Sequence, residues 1–161
     1  MPADGFAGET KLDFNSTRSG SVKMKQFAAS LVAYLVVTFF FAIVWHLVLF
    51  KDLYRELAIF SRGDNPNMLL VFVSVIIQGA VMAYLYPLVS RGESPIWDGV
   101  KFGLLMGIFL ASVAVLAEGA KQNVTSLSTF VVMEGLFFLI YFVLYGLVVG
   151  LIHGKNVARS R

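Results

Sequence analysis

From Phe27 to Phe50 the chain carries no Asp, Glu, Lys or Arg, and three further stretches, 68–89, 96–118 and 126–152, are nearly as apolar. Such runs leave few options. At ~1.5 Å per residue, Phe27–Phe50 extends ~36 Å as a helix, enough to cross a ~30 Å hydrocarbon layer with some tilt. A helix that is apolar on every face belongs in a bilayer, packed against other helices. The expected fold is all-α: a four-transmembrane-helix bundle, up-down-up-down, with short connections.

Composition agrees. Of 161 residues, 58% are hydrophobic and only 14% charged, against about a quarter charged in soluble domains. So little charge cannot clothe a surface in water, so the first partner is the lipid bilayer. The net charge of +3 does not point to nucleic acid. The Lys and Arg residues gather at the ends of the runs, where they set topology. The absence of cysteine removes disulfides, thiolate chemistry and cysteine-held metals.

Residues 1–23 are small and polar without periodicity, and read as a flexible cytoplasmic tail. Met24-Lys25, directly before the first run, has the look of a translation start. The first run is too long for a signal-peptide core and lacks a small-x-small cleavage site, so it reads as a retained helix. The transmembrane domain is then 24–154, followed by a basic tail at 155–161. Between the first two spans, Leu53, Leu57 and Phe60 can face one way while Asp52, Arg55, Glu56 and Arg62 face others, the pattern of a short interfacial helix. Asn65-Pro66-Asn67 can cap the second span, and Pro95 suits the first turn of the third.

Orientation follows from Lys and Arg. Lys11, Arg18, Lys23, Lys25, Arg91, Lys101, Lys155, Arg159 and Arg161 fall on one side, against Lys51, Arg55, Arg62 and Lys121 on the other. The positive-inside rule expects both termini in the cytoplasm.

Gly99, Gly103, Gly107 and Ala111 recur every four residues, and Ala114 and Glu118 carry the same face onward. The fourth span has its own row at Gly146, Gly150 and Gly154. Small residues at this spacing let helix backbones approach closely. The rows serve either packing inside the bundle or a face for self-association or a partner.

An ionisable group inside a span costs a few kcal/mol or more, so it normally faces the bundle interior and has a partner. Glu134, ~9–12 Å inside the fourth span, is the most informative residue on this ground. His46 lies near the end of the first span, Glu118 at the end of the third and Gln78 ~15 Å into the second. In the first span Ser30, Tyr34, Thr38, Ala42 and His46 recur every four residues, a mildly polar row leading to His46. Glu134 then has three readings: a structural contact with His46 or Tyr141, a proton or substrate site, or a metal site with His46 and Glu118. No H-x-x-E or E-x-x-H pair supports the metal.

No phosphate-binding loop, nucleophile elbow or H-E-x-x-H helix is present. The sequence therefore nominates no catalytic residue, no metal ligand and no cofactor. The first functional reading is a non-enzymatic accessory or structural subunit, packing against itself or a larger membrane complex. The alternative is a small oligomeric transporter or proton-coupled carrier using Glu134 with His46 and Gln78. A metal- or quinone-handling membrane enzyme ranks third.

Trp45-His46, the Phe50-Lys51 step, the Gly99-Gly103-Gly107 helix and the Gly146-Leu147-Gly150 ending together resemble a family of small four-helix bacterial membrane proteins, catalogued as a domain of unknown function. The likeness covers about residues 25–152, and the stretch before Met24 departs from it. It implies the four-helix architecture and a bacterial inner-membrane location; the family carries no established activity to transfer.

Overall fold

A computed structural model describes residues 9–59, 66–91 and 94–157. Helix α1 spans Glu9–Ala42 and continues as a π-helical segment, Ile43–Leu49. A short α2 (Lys51–Glu56) turns aside, and α3 (Met68–Val89) returns. Helix α4 (Pro95–Ala111) continues as a second π-helical segment, Ser112–Ala117, and α5 (Leu127–Val157) closes the chain. Four stretches are long and apolar enough to cross a membrane: Lys23–Leu49, Met68–Val89, Pro95–Ala117 and Leu127–Gly154. The protein is an all-α, four-helix, multi-pass membrane protein.

Helix α1 begins at Glu9, so the backbone of residues 9–23 runs on from the first span as helix. Nucleation is the costly step of helix formation. A membrane span already supplies the nucleus, and no proline interrupts the chain between Pro2 and Pro66 to stop it running back toward the amino terminus. Residues 1–8 and 158–161 lie outside the described residues, and so do Phe60 and Arg62 of the interfacial pattern.

The helix ends follow local chemistry. Asn67 Oδ1 accepts the Leu70 N–H at 3.2 Å and caps α3. Pro95 opens α4, where its missing N–H costs nothing. Across the α3–α4 turn, Asp98 Oδ2 accepts from Ser90 Oγ and from the Arg91 N–H, each at 3.0 Å.

Helix α5 lies at the centre, packed on α4 and α1, and α1 packs on α3. The α4–α5 contact is built from the two glycine rows. A Cβ at Gly99 would run into Gly146 O, and one at Gly146 into Gly99 O; Gly103 meets Phe142 O, and Gly150 meets Pro95 O. Gly107 rests on Phe142, and Ala111 joins an apolar cluster with Leu57, Val115 and Phe130. The rows thus face each other within one chain. Gly79, which no periodicity singled out, does the same for α1–α3, where Leu31 and Tyr34 fill the space a side chain would need.

The α1–α5 contact is aromatic instead. Tyr34, Phe142 and Tyr145 are fully buried, with Tyr141 beside them. Tyr34 meets Tyr145 edge-on at 5.0 Å and Tyr141 at 5.8 Å, the arrangement the ring quadrupole favours. Helices α3 and α4 are consecutive yet diverge beyond their shared turn, leaving a cleft.

Candidate functional site

The π-helical segment after Ala42 carries Trp45 and His46 toward α5. A π turn shifts the backbone ladder by one residue and re-aims the side chains it holds. His46 Nδ1 lies 3.1 Å from the Ala42 carbonyl, and Nε2 lies 3.1 Å from Glu134 Oε1. The two side chains are 15% and 13% exposed. The His46 ring is held edge-on by Tyr54 at 4.5 Å and Phe137 at 4.6 Å.

This geometry fixes the proton count. A carbonyl only accepts, so Nδ1 carries a hydrogen and donates to Ala42 O. The Nε2···Oε1 contact then needs one proton, on either atom. The pair is imidazolium facing carboxylate, or imidazole facing carboxylic acid; both are neutral overall, which suits a low-dielectric setting.

Helix α2 supplies the lid. Tyr54 is 2% exposed, and its hydroxyl accepts the Trp45 Nε1–H at 3.0 Å. Burial first, and then the nearby Glu134 carboxylate, push the pKa of this phenol well above the ordinary tyrosine value. Thr125, in the α4–α5 connection, ties α2 down by donating its hydroxyl to Glu56 O at 2.7 Å. Leu57, Val115 and Phe130 pack beneath this tie.

Beyond the pair, further polar groups lie at intervals along α1 and α5, with the Phe137 ring between His46 and Tyr141. Thr38 Oγ1 donates to the Tyr34 carbonyl at 2.7 Å. Its single hydrogen is thereby used, so the 2.7 Å contact with Tyr141 has the tyrosine hydroxyl donating. Tyr34 donates to Gln78 Oε1 at 2.8 Å, and Gln78 Nε2 donates to Ser74 Oγ at 2.9 Å. The Tyr145 hydroxyl is buried with no partner among the described residues. At the far end Ser30 Oγ lies 3.2 Å from His153 Nε2, and Tyr86 meets the His153 ring edge-on at 4.8 Å. His46 to Ser30 covers ~24 Å of helix and Glu134 to His153 ~28 Å, close to the ~30 Å hydrocarbon thickness.

Of the residues singled out from sequence, His46 and Glu134 are brought together. Gln78 joins the tyrosines at mid-depth instead. Glu118 pairs with Lys121 Nζ at 2.9 Å, one turn on, and is 42% exposed. The metal set of His46, Glu118 and Glu134 is therefore not assembled, and among the described residues no three His, Asp or Glu side chains are grouped to hold an ion. Tyr54 and Trp45 carry no such signal in the sequence, whereas the spacing of Glu134, Tyr141 and Tyr145 places them on one face of α5.

No protein-family model matches the chain, and no curated protein or solved structure matches it. Fold and site together define a multi-pass membrane protein with a lidded, partly buried histidine–glutamate pair at one end of its bundle.

Proposed function

We propose that the protein is a small proton carrier, in which Glu134 is the proton-carrying carboxylate and His46 its exchange partner. The observation that supports this is a partly buried pair sharing one proton, with further polar contacts spaced along α1 and α5 over a length close to the membrane's thickness. Ionisable residues inside spans are costly and characteristically mark proton relays and substrate paths. In this reading the Tyr54–Trp45 lid sets access to the pair, and Gln78, with Tyr34, Thr38 and Tyr141, forms the mid-membrane part of the route. The Lys and Arg count orients both termini to the cytoplasm; a bacterial inner membrane rests on the family resemblance alone.

The accessory-subunit reading rests on the glycine rows, the short loops and the absence of catalytic motifs; of these, the rows meet each other inside one chain and so do not argue for a second protein. The test is reconstitution in liposomes enclosing a pH-sensitive dye. An imposed potential should drive proton entry with the wild type and not with Glu134→Gln. Absence of wild-type entry, or full entry with the variant, overturns the proposal, and co-purification of a stoichiometric protein partner favours the accessory role.

A further inference from the structure

We infer that the cleft between α3 and α4 is a binding site for one anionic glycerophospholipid, with its phosphate at Arg91 and Lys101 and an acyl chain running inward between the helices.

The cleft has two parts that share Leu85 and Met106. The part near the α3–α4 turn has a volume of about 620 Å³ and is lined by Arg91, Trp97, Asp98 and Lys101. The deeper part, about 380 Å³, is lined by Ile77, Val81, Phe109 and Leu110 and has Gln78 on its wall. Polarity is therefore graded along the cleft, with charge at one end and hydrocarbon at the other, as in an amphiphile.

Charge decides the sign of the head. The Asp98 carboxylate accepts from Ser90 and the Arg91 backbone, which holds the turn and presents Arg91 at the mouth. Among the described residues neither Arg91 nor Lys101 belongs to an ion pair. Arginine forks onto phosphate oxygens and lysine adds a point charge. Trp97, 63% exposed, stands at the level where indoles anchor to headgroups. By the Lys and Arg count this mouth opens into the cytoplasmic leaflet, the one that carries anionic lipid.

Dimensions decide the tail. Ile77 to Val89 covers ~18 Å of α3, a little more than one leaflet of a ~30 Å core. An acyl chain, one carbon wide, fits.

The experiment is native mass spectrometry of the full chain in detergent, titrated with phosphatidylglycerol or phosphatidylcholine, with thermal melts as a fold check. The wild type should retain one phosphatidylglycerol per chain and release phosphatidylcholine. R91Q/K101Q should lose at least about tenfold in retention, the order expected for removing a charge-assisted contact. Val81→Trp, which blocks the deeper part, should lose it too, while R55Q/K121Q at the opposite end should not. Equal retention of both lipids, unchanged retention in R91Q/K101Q, or a dimer that covers the cleft would each overturn the inference.

Discussion

His46 Nε2 and Glu134 Oε1 stand 3.1 Å apart although 88 residues separate them in the chain. Because the other ring nitrogen donates to Ala42 O, the contact holds one shared proton. A pair of this kind is coupled, and a double-mutant cycle measures the coupling. His46→Ala and Glu134→Ala should each destabilise by about 1–3 kcal/mol, since each leaves a buried polar partner behind. The double variant should lose less than the sum of the two, with a coupling of about 1 kcal/mol. Unfolding in a denaturant titration of the micellar protein gives all four values; strict additivity would mean that the pair does not interact.

The glycine seam makes a sharper contrast. Gly103 faces the Phe142 carbonyl, whereas a methyl at Gly135 meets nothing within 4 Å. Gly103→Leu must push α4 off α5 and should cost about 3 kcal/mol or more, or prevent folding. Gly135→Ala should stabilise by up to ~1 kcal/mol, the helix-propensity gain. The same denaturant titration checks both. Equal, small effects at the two positions would show that α4 and α5 are not in backbone contact.

Tyr145 offers a test of opposite sign. Its hydroxyl is fully buried without a partner among the described residues, and an unsatisfied buried hydroxyl costs about 1–3 kcal/mol. Tyr145→Phe removes the hydroxyl and keeps the ring packed on Tyr34, so the variant should be more stable than the wild type. A loss of stability would mean that the hydroxyl is hydrogen-bonded in the membrane.

Tyr54 links the lid to pH. Its phenol is raised above the ordinary value, by burial first and by Glu134 next, so the fold favours the neutral form. Stability from this source is whole below the unfolded value of about 10 and is lost as pH rises beyond it. Melting temperatures measured between about pH 8 and pH 11 should therefore fall more steeply for the wild type than for Tyr54→Phe, which has nothing to ionise. Parallel curves would remove Tyr54 from the lid's energetics.

Much of this was legible in the residues. Uncharged length placed the spans: 68–89 coincides with Met68–Val89, and 96–118 differs by one residue at each end from Pro95–Ala117. The four-residue glycine spacing marked the α4–α5 contact, and the cost of charge in hydrocarbon marked Glu134. What stayed hidden depends on helix rotation. Where every face is apolar, periodicity does not say which neighbour a side chain meets, so Gln78 could be placed at a depth but not against Tyr34. Glu118 stands at a span's end in sequence and Glu134 well inside one, and the structure agrees by pairing Glu118 with Lys121 at the surface. Tyr54 was invisible for another reason: it lies beside, not on, the Leu53–Leu57 face that marked the short interfacial helix, and its place over Glu134 depends on the Thr125 tie from a distant turn.

Proton entry into dye-loaded liposomes, compared in one preparation for the wild type, Glu134→Gln and Thr38→Val, tests the central claim most directly. The account predicts entry with the wild type, none with Glu134→Gln and slowed entry with Thr38→Val, whose lost hydroxyl breaks the mid-membrane link to Tyr141. Wild-type vesicles no leakier than empty ones, or equal entry for all three proteins, would contradict it.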